Sequence, residues 1–223
     1  MNGSDFAFII IAAKAGIACI PTTLLLSIVP FMIGAIVGTI IAMIRIFRVK
    51  YLAQLFKIVI DTLKAIPLIL ILYILFFAMT DSFKNINMII VAITTLSVFA
   101  MVIISETIRG AFMSIDSNQY EAGYSVGMTT FQTLRRIVIP QAVPVAVPVL
   151  CNNLIGLVKA SSIMYLITVR DILNGTLITA SSNYRYLDAY IAAALVYWGL
   201  ILIIELLSRI LEKRMGRFRM NVA

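Results

Sequence analysis

The stretch IACIPTTLLLSIVPFMIGAIVGTIIAMI, from Ile17 to Ile44, decides the fold, because it runs without a single charged side chain. A span of about 20 apolar residues crosses the hydrocarbon of a bilayer. Four further apolar runs follow it: Ile58 to Met79, Met88 to Ile108, Val145 to Leu166 and Ala189 to Ile210. Because lipid offers no partner for an open N–H or C=O, spans of this kind are helical. The sequence predicts one all-α membrane domain over residues 1–223, with about five transmembrane helices.

Composition excludes an ordinary soluble domain and most catalytic chemistry. The 223 residues are 62% hydrophobic and 13% charged, against about 45–50% and about 25% in soluble domains. The chain has no histidine, which removes histidine-based triads and histidine metal sites. Cys19 and Cys151 lie far apart in apolar stretches, so we predict packing roles for both. We expect no catalytic residues and no metal site.

The first residues allow two interpretations. Phe6 to Ala13 is a short apolar run that resembles the core of a secretory signal. It lacks a preceding basic region and a clear cleavage site, and a long apolar run follows. We therefore expect a retained N-terminus, with Phe6 to Gly16 as an interfacial helix.

Lysine and arginine positions predict the orientation of the chain. Twelve of the 18 basic residues lie between spans one and two, between spans three and four, and after span five. These three segments share one side of the membrane, and four basic residues lie on the opposite side. Because basic residues favour the cytoplasmic side, we predict an outer N-terminus and a cytoplasmic C-terminus. The net charge of +8 then fits a membrane protein, and the basic run from Lys213 to Arg219 fits anionic lipid head groups better than nucleic acid.

The connection between spans three and four, about residues 109–144, is too long for a simple turn. Asp116 or Ser117 can cap a first helix, Gly127 permits a break, and Thr129 or Thr130 can cap a second helix that stops at Pro140. Each helix has one apolar and one polar face. The pattern fits either a docking hairpin or an interfacial helix pair without a partner.

The same connection carries a resemblance to a known family. The residues that carry it are SETIRGA (Ser105 to Ala111), QYEAG (Gln119 to Gly123), Gly127, QTLRRIVIPQA (Gln132 to Ala142) and KASS (Lys159 to Ser162). These motifs resemble the membrane permease subunit of ATP-binding cassette importers for polar amino acids. Two positions depart from that family: Gly123 stands where the signature has its second alanine, and Ala160 stands where many relatives have a carboxylate.

The resemblance implies a set of partners in the cell membrane. In this family two permease chains form the pathway, cytoplasmic ATPases bind ATP and Mg²⁺ and drive transport, and an extracellular binding protein delivers the solute. The chain itself has no G-x-x-x-x-G-K-[ST] sequence, so we expect no cofactor on it. The residues implied to couple the permease to the ATPase are Glu121, Ala122, Gly123, Gly127, Ile139 and Pro140.

Polar residues inside spans indicate where solute passes, because they are costly in lipid. A stripe on span four, with its neighbours, and a second stripe on span three form our candidate pathway: Asn152, Asn153, Gly156, Lys159, Ala160, Ser161 and Ile163, with Thr94, Ser97, Met101 and Ser105. Alternatives remain for them, because hydroxyls also bond their own helix and Lys159 can pair with Glu106 or Glu205. We predict close helix packing at Gly34 and Gly38, and a bend of span two at Pro67.

Together these observations predict an importer permease rather than an enzyme. The resemblance implies a polar amino acid as the solute, and the missing carboxylate at Ala160 favours a zwitterion such as cystine. The alternative is a secondary transporter or channel subunit that works without an ATPase. The outer segment 168–188 is either a docking site for the binding protein or a connector. The second permease chain is either identical or related.

Overall fold

The computed structural model describes the backbone of residues 3–220 and the side chains of residues 6–213, and within that backbone it contains helices and no strands. The first six helices are α1 Gly3–Ala18, α2 Ile20–Ile46, α3 Leu52–Ala65, α4 Leu68–Ser82, α5 Met88–Met113 and α6 Ser117–Ser125. A continuous helical stretch follows, made of α7 Thr130–Thr133, a π-helical segment Leu134–Val138, α8 Ile139–Ala160 and a 3₁₀ segment Ser161–Ile167. The chain then forms α9 Ile172–Ala180 and α10 Tyr186–Met220.

The prediction of an all-α membrane protein with about five spans is confirmed. Within the described residues, four helices are long and apolar enough to cross a membrane: Ile20–Ile46, Met88–Met113, Thr130–Ile167 and Tyr186–Lys213. The helix pair α3 and α4 supplies a fifth span if it is counted as one. Spans three and five extend beyond their predicted ends, to Met113 and to Met220. The side chains of the basic run beyond Lys213 lie outside the described residues.

Span two differs from the single bent helix predicted over Ile58 to Met79. The axes of α3 and α4 differ by 105°, which is a break rather than a kink. Ile66 is extended, with φ −91° and ψ 126°, because Pro67 disfavours the helical region for the residue before it and has no N–H to donate. The 15 residues of α4 reach roughly 22 Å, which is less than the hydrocarbon thickness.

Close contact between α2 and α5 forms the centre of the molecule. Both Gly34 and Gly38 are buried, and a Cβ at Gly34 would lie 2.6 Å from the Cβ of Ala100. A Cβ at Gly38 would lie 2.8 Å from the backbone oxygen of Met101. The predicted packing role of these glycines is confirmed, since the two backbones approach at a distance that any side chain would prevent.

The N-terminal helix α1 packs on α9 and α10 instead of standing apart. Its Phe8, Ile9 and Ala12 contact a group of alanines on α9 and α10. Gly16 adjoins Thr176 of α9, where a Cβ would come within 2.7 Å of the threonine methyl. The predicted helix over Phe6 to Gly16 is therefore present, and it is part of the packed fold.

A buried polar group fixes the short helix α9. Asp171 is fully buried and caps α9 by accepting from the Asn174 N–H at 2.9 Å, and it also accepts from the Tyr197 hydroxyl at 2.7 Å. The Ile172 N–H donates to the Thr23 hydroxyl oxygen of α2 at 3.1 Å. Burial raises the pKa of Asp171, and its hydrogen bonds oppose that shift. The segment after span four is therefore tied to α2 and α10.

Candidate functional site

The hairpin between α5 and α8 begins with a capped helix, as the sequence predicts. Asp116 caps α6 by accepting from the Asn118 N–H at 2.9 Å. The helix ends at Ser125, and Gly127 follows in the left-handed region with φ +78°. The Gly127 N–H donates to the backbone carbonyl of Tyr124, and the Met128 N–H donates to the backbone carbonyl of Gly123. These two bonds form a Schellman motif, which explains the glycine at 127.

The second helix of the hairpin starts with a capping box. The Gln132 N–H donates to the Thr129 hydroxyl oxygen at 3.3 Å, and the Thr129 N–H donates to the Gln132 side-chain oxygen at 2.9 Å. Two backbone donors at the helix start are thereby satisfied. The sequence allowed either Thr129 or Thr130 as the cap of this helix, and the structure shows that it is Thr129.

The predicted stop at Pro140 is wrong. The helix continues from Thr130 through Ile139 and Pro140 to Ile167. In the π-helical segment the Ile139 N–H donates to Leu134, five residues back. Pro140 follows directly. Its missing N–H therefore lies where the π-helical hydrogen bonds, between residues five apart, change to α-helical bonds, between residues four apart. The hairpin is therefore continuous with the span that it precedes.

Gly123 is the contact point between the two arms of the hairpin. It is buried, and a Cβ at this position would lie 2.6 Å from Thr133 Cγ2 and 2.7 Å from Thr133 Oγ1. Thr133 is itself fully buried and donates to the Thr129 carbonyl at 3.1 Å. Glycine here accommodates the threonine of the opposite arm.

The hairpin is also fixed to the spans on either side. Phe112 of α5 packs with Leu134, Val138 and Ala142, and Tyr120 lies against this cluster. The Gln141 amide donates to the Gln119 side-chain oxygen at 3.1 Å. These contacts join α6 to the base of α5 and α8.

The exposed residues of the hairpin include two of the implied coupling residues on α6. Glu121 and Ala122 are exposed on α6. Within residues 6–213 the Glu121 carboxylate has no ion-pair or hydrogen-bond partner. Its acceptor capacity is therefore available to another molecule.

The candidate pathway residues of α8 divide between an open face and the core. Asn152 and Lys159 are exposed, and nothing lies within 4 Å of a Cβ built at Gly156. Ala160 and Ile163 pack against the central core instead. The stripe is therefore open from Asn152 to Lys159 and closed from Ala160 onward.

Three other pathway candidates lie inside the fold. Ser161 is fully buried and donates to the Val158 carbonyl at 2.9 Å. The Asn153 amide donates to the Thr107 hydroxyl at 2.8 Å, which links α8 to α5. Met101 packs beside Ile41, Ile60 and Val102. Their part in solute transfer stays a prediction.

The hydroxyls of α5 differ from one another. Thr94 donates to the Ile90 carbonyl of its own helix at 2.9 Å, as the alternative interpretation predicts. Ser97 and Ser105 have buried hydroxyl oxygens without a hydrogen-bond partner in the described part of the chain. Ser97 therefore keeps an unused polar group in the interior.

A cluster of ion pairs joins three helices, and the sequence analysis did not predict it. Glu106 of α5 bonds to Arg45 of α2, to Lys64 of α3 at 3.4 Å and to Arg109 of its own helix at 2.9 Å. Among the described residues, the alternative pairing of Lys159 with Glu106 or Glu205 is not present, and Glu205 lies 3.9 Å from Arg209. The sequence did contain a signal for this cluster, because Glu106 is an acid within a predicted span and Arg109 follows it three residues later.

The fold and these sites define a multi-pass membrane permease. The chain belongs to the family of binding-protein-dependent transport system inner membrane components, whose family model matches residues 34–217. It is the permease of an ATP-binding cassette importer for amino acids, and so a transport subunit rather than an enzyme. This family favours the importer over the secondary transporter that the sequence left open.

Individual relatives and structures agree with this family. The chain is 33% identical to the probable amino-acid permease protein YxeN of Bacillus subtilis, over 97% of this chain and 98% of that protein. It is 30% identical to the L-cystine transport system permease protein TcyB of the same organism, over 88% and 84%. A crystal structure of an amino acid ABC transporter with histidines superposes with a TM-score of 0.85 and 27% identity, over 90% of this chain and 94% of that one. The MetNI methionine ABC transporter shares the fold, with a TM-score of 0.67 and 21% identity, over 96% of this chain and 99% of that one.

Proposed function

We propose that this chain works as one of two permease subunits in an importer that is driven by separate cytoplasmic ATPases, which bind ATP and Mg²⁺. In this proposal the N-terminus is outside, the C-terminus is cytoplasmic, and the hairpin of α6 and α7 faces the ATPase. An extracellular binding protein delivers a zwitterionic polar amino acid. The outer segment around α9 receives that protein.

The observation that carries the coupling role is the closely packed hairpin, which is continuous with α8. Its two arms contact at Gly123 and Thr133, and its second arm runs into α8 without a break. A force on α6 therefore moves α8 as one body. Glu121 and Ala122 are exposed on the arm that would meet the ATPase. Rigid elements of this kind convert the closure of one domain into the tilt of another.

The Gly127→Val substitution tests the coupling role. Valine disfavours a φ of +78°, so we expect loss of solute-stimulated ATP hydrolysis in a reconstituted complex, with subunits that still co-purify. The matched control is Gly127→Asn, because asparagine tolerates the left-handed region. Stimulation that is unchanged in the valine variant would contradict the proposal.

The substrate class is inferred from the open face of α8. Lys159 is exposed there and has no partner within residues 6–213, and Asn152 is exposed on the same stripe. An ammonium and an amide suit the carboxylate of an amino acid. Ala160 supplies no acid for a cationic side chain. A zwitterion such as cystine fits this set of groups better than arginine.

Uptake into proteoliposomes that hold the complete importer tests the substrate class. We expect labelled cystine to enter faster than labelled arginine, and Lys159→Met to reduce that uptake at least tenfold. Lys84→Met is the matched control, because Lys84 is an exposed lysine in the turn after α4. Faster arginine uptake, or equal uptake by Lys159→Met and the wild type, would overturn the assignment.

A further inference from the structure

The turn between α2 and α3 lies at the edge of a strongly basic cleft. The cleft has a volume of about 1070 Å³ and is bordered by α2, α3, α5 and α6. Its charged lining consists of Arg45, Arg48, Lys50, Lys57, Lys64 and Arg109, against Asp61 and Glu106. We call this the basic cleft.

The cations of the basic cleft fall into an inner and an outer group. Glu106 bonds to Arg45, Lys64 and Arg109 in the inner group. The outer group comprises Arg48, Lys50 and Lys57, which are exposed and have no carboxylate partner within residues 6–213. The outer group therefore has positive charge that the described protein does not neutralise.

An apolar groove leads to the same place along the outward face of α2. It has a volume of about 570 Å³ and is lined by Ala35, Ile36, Thr39, Ile40, Met43, Ile44, Phe47 and Val49. This face lies nearly opposite Gly34 and Gly38, which pack on α5. From residue 35 to residue 47 the helix rises roughly 18 Å, which is close to one leaflet of the hydrocarbon core, about 15 Å.

The apolar groove and the basic cleft are continuous, because Val49 lines both. The turn between them has an unusual backbone: Arg48 and Tyr51 have φ values of 51° and 62°. Such conformations are disfavoured for residues other than glycine. Arg48 and Lys50 line the basic cleft on either side of Val49, the residue that the two cavities share. The Lys50 ammonium lies 5.1 Å from the centre of the exposed Tyr51 ring.

We propose that this elbow of the chain is a binding site for one anionic phospholipid. An acyl chain occupies the apolar groove along α2, and the phosphate lies at Arg48 and Lys50. The end of an apolar span is the depth at which lipid head groups lie, and basic side chains there attract anionic lipids. The apolar groove beside the unneutralised cations of the basic cleft is complementary to an anionic amphiphile. A zwitterionic lipid or a second copy of the chain fits this combination less well.

Native mass spectrometry of the purified complex in detergent tests this proposal. We expect dioleoyl phosphatidylglycerol to bind at least tenfold more tightly than dioleoyl phosphatidylcholine. The double substitution Arg48→Gln with Lys50→Gln removes two cations, and each contributes roughly a fivefold preference at a membrane surface. The variant is therefore expected to lose most of the preference for phosphatidylglycerol.

Two further variants separate the charge from the apolar groove. Thr39→Trp fills the apolar groove and should weaken the binding of both lipids while leaving their ratio near the wild-type value. Lys84→Gln with Arg170→Gln is the matched control, because both residues are exposed and lie in connections away from the elbow. This control should bind both lipids as the wild type does.

Three results would overturn the proposal. They are equal binding of the two lipids by the wild type, an equal loss of preference in the control double variant, and complete displacement of the lipid by glycerol 3-phosphate alone. The last result would identify a site for free anions. Because lipid binding is measured without solute or ATP, failure here is independent of the proposed transport function.

Discussion

At the scale of single residues, Gly123 and Gly127 are both essential to the hairpin for different reasons. Gly127 supplies a backbone conformation, with φ +78°. Gly123 supplies space, because Thr133 occupies the position of its missing side chain. We predict that Gly123→Ala lowers the free energy of unfolding by about 1–3 kcal/mol, since a new methyl group must displace a buried threonine. Thermal unfolding in detergent measures this loss.

A double substitution makes that prediction sharper. Thr133→Ala removes Cγ2 and Oγ1, the atoms that a Cβ at 123 would meet at 2.6 and 2.7 Å. The pair Gly123→Ala with Thr133→Ala should therefore be more stable than the sum of the single effects indicates. Gly110→Ala is the control, because no atom lies within 4 Å of its built Cβ. Additive single effects would show that the contact does not limit packing.

The two glycines also show what the sequence can and cannot predict at this scale. Gly127 follows a capped helix and precedes a threonine cap, so local pattern predicts a turn there. The contact of Gly123 with Thr133 depends on how two helices face each other, which no local pattern contains. The bonds of Glu106 to Arg45 and Lys64 join residues that are 61 and 42 positions apart, so they too depend on the assembled fold.

At the scale of helices, apolar length predicted the spans well and proline effects predicted their ends poorly. Four of the five predicted spans are single helical stretches with shifted ends. Pro67 and Pro140 were expected to bend one helix and stop another. The first breaks its span by 105°, and the second lies within a continuous helix. Whether a freed carbonyl finds another partner decides between these outcomes, and the π-helical segment before Pro140 provides that adjustment.

The contact between α2 and α5 gives a prediction at the scale of helices. A Cβ at Gly38 would lie 2.8 Å from the Met101 oxygen and 3.0 Å from the Ser105 nitrogen, which are backbone atoms of a helix. We expect Gly38→Ala to lower the free energy of unfolding by about 1–3 kcal/mol, because the helices must separate to admit the methyl group.

Gly199→Ala is the matched control for that prediction. Gly199 lies within a spanning helix, and no atom lies within 4 Å of its built Cβ. Alanine there should be neutral or should stabilise the chain by up to about 1 kcal/mol through helix propensity. Unfolding midpoints of the two variants in the same detergent test the difference, and equal midpoints would show that α2 and α5 can separate without cost.

At the scale of the whole molecule, Glu106 connects the separate helix α3, which otherwise has few contacts with the bundle, to the closely packed pair of α2 and α5. It joins the end of α2 to the separate helix α3 and to the segment of α5 that leads into the hairpin. The broken span therefore remains attached to the bundle through charge as well as through Ile60. In the proposed coupling mechanism, any tilt of α5 must also move Arg45 and Lys64.

We therefore predict that Glu106→Gln destabilises the chain well beyond the loss of a surface ion pair. Arg45 is only 10% exposed and Arg109 31%, so the substitution leaves two partly buried cations beside Lys64 without an anion. The expected cost is about 1–3 kcal/mol, below the 3–5 kcal/mol of a fully buried pair because the cleft opens to solvent. Glu205→Gln is the control, since its partner Arg209 is 73% exposed at 3.9 Å, and it should cost at most about 1 kcal/mol. Unfolding midpoints at low and high salt measure both losses, and equal shifts for the two glutamine variants would show that Glu106 does not hold α2, α3 and α5 together.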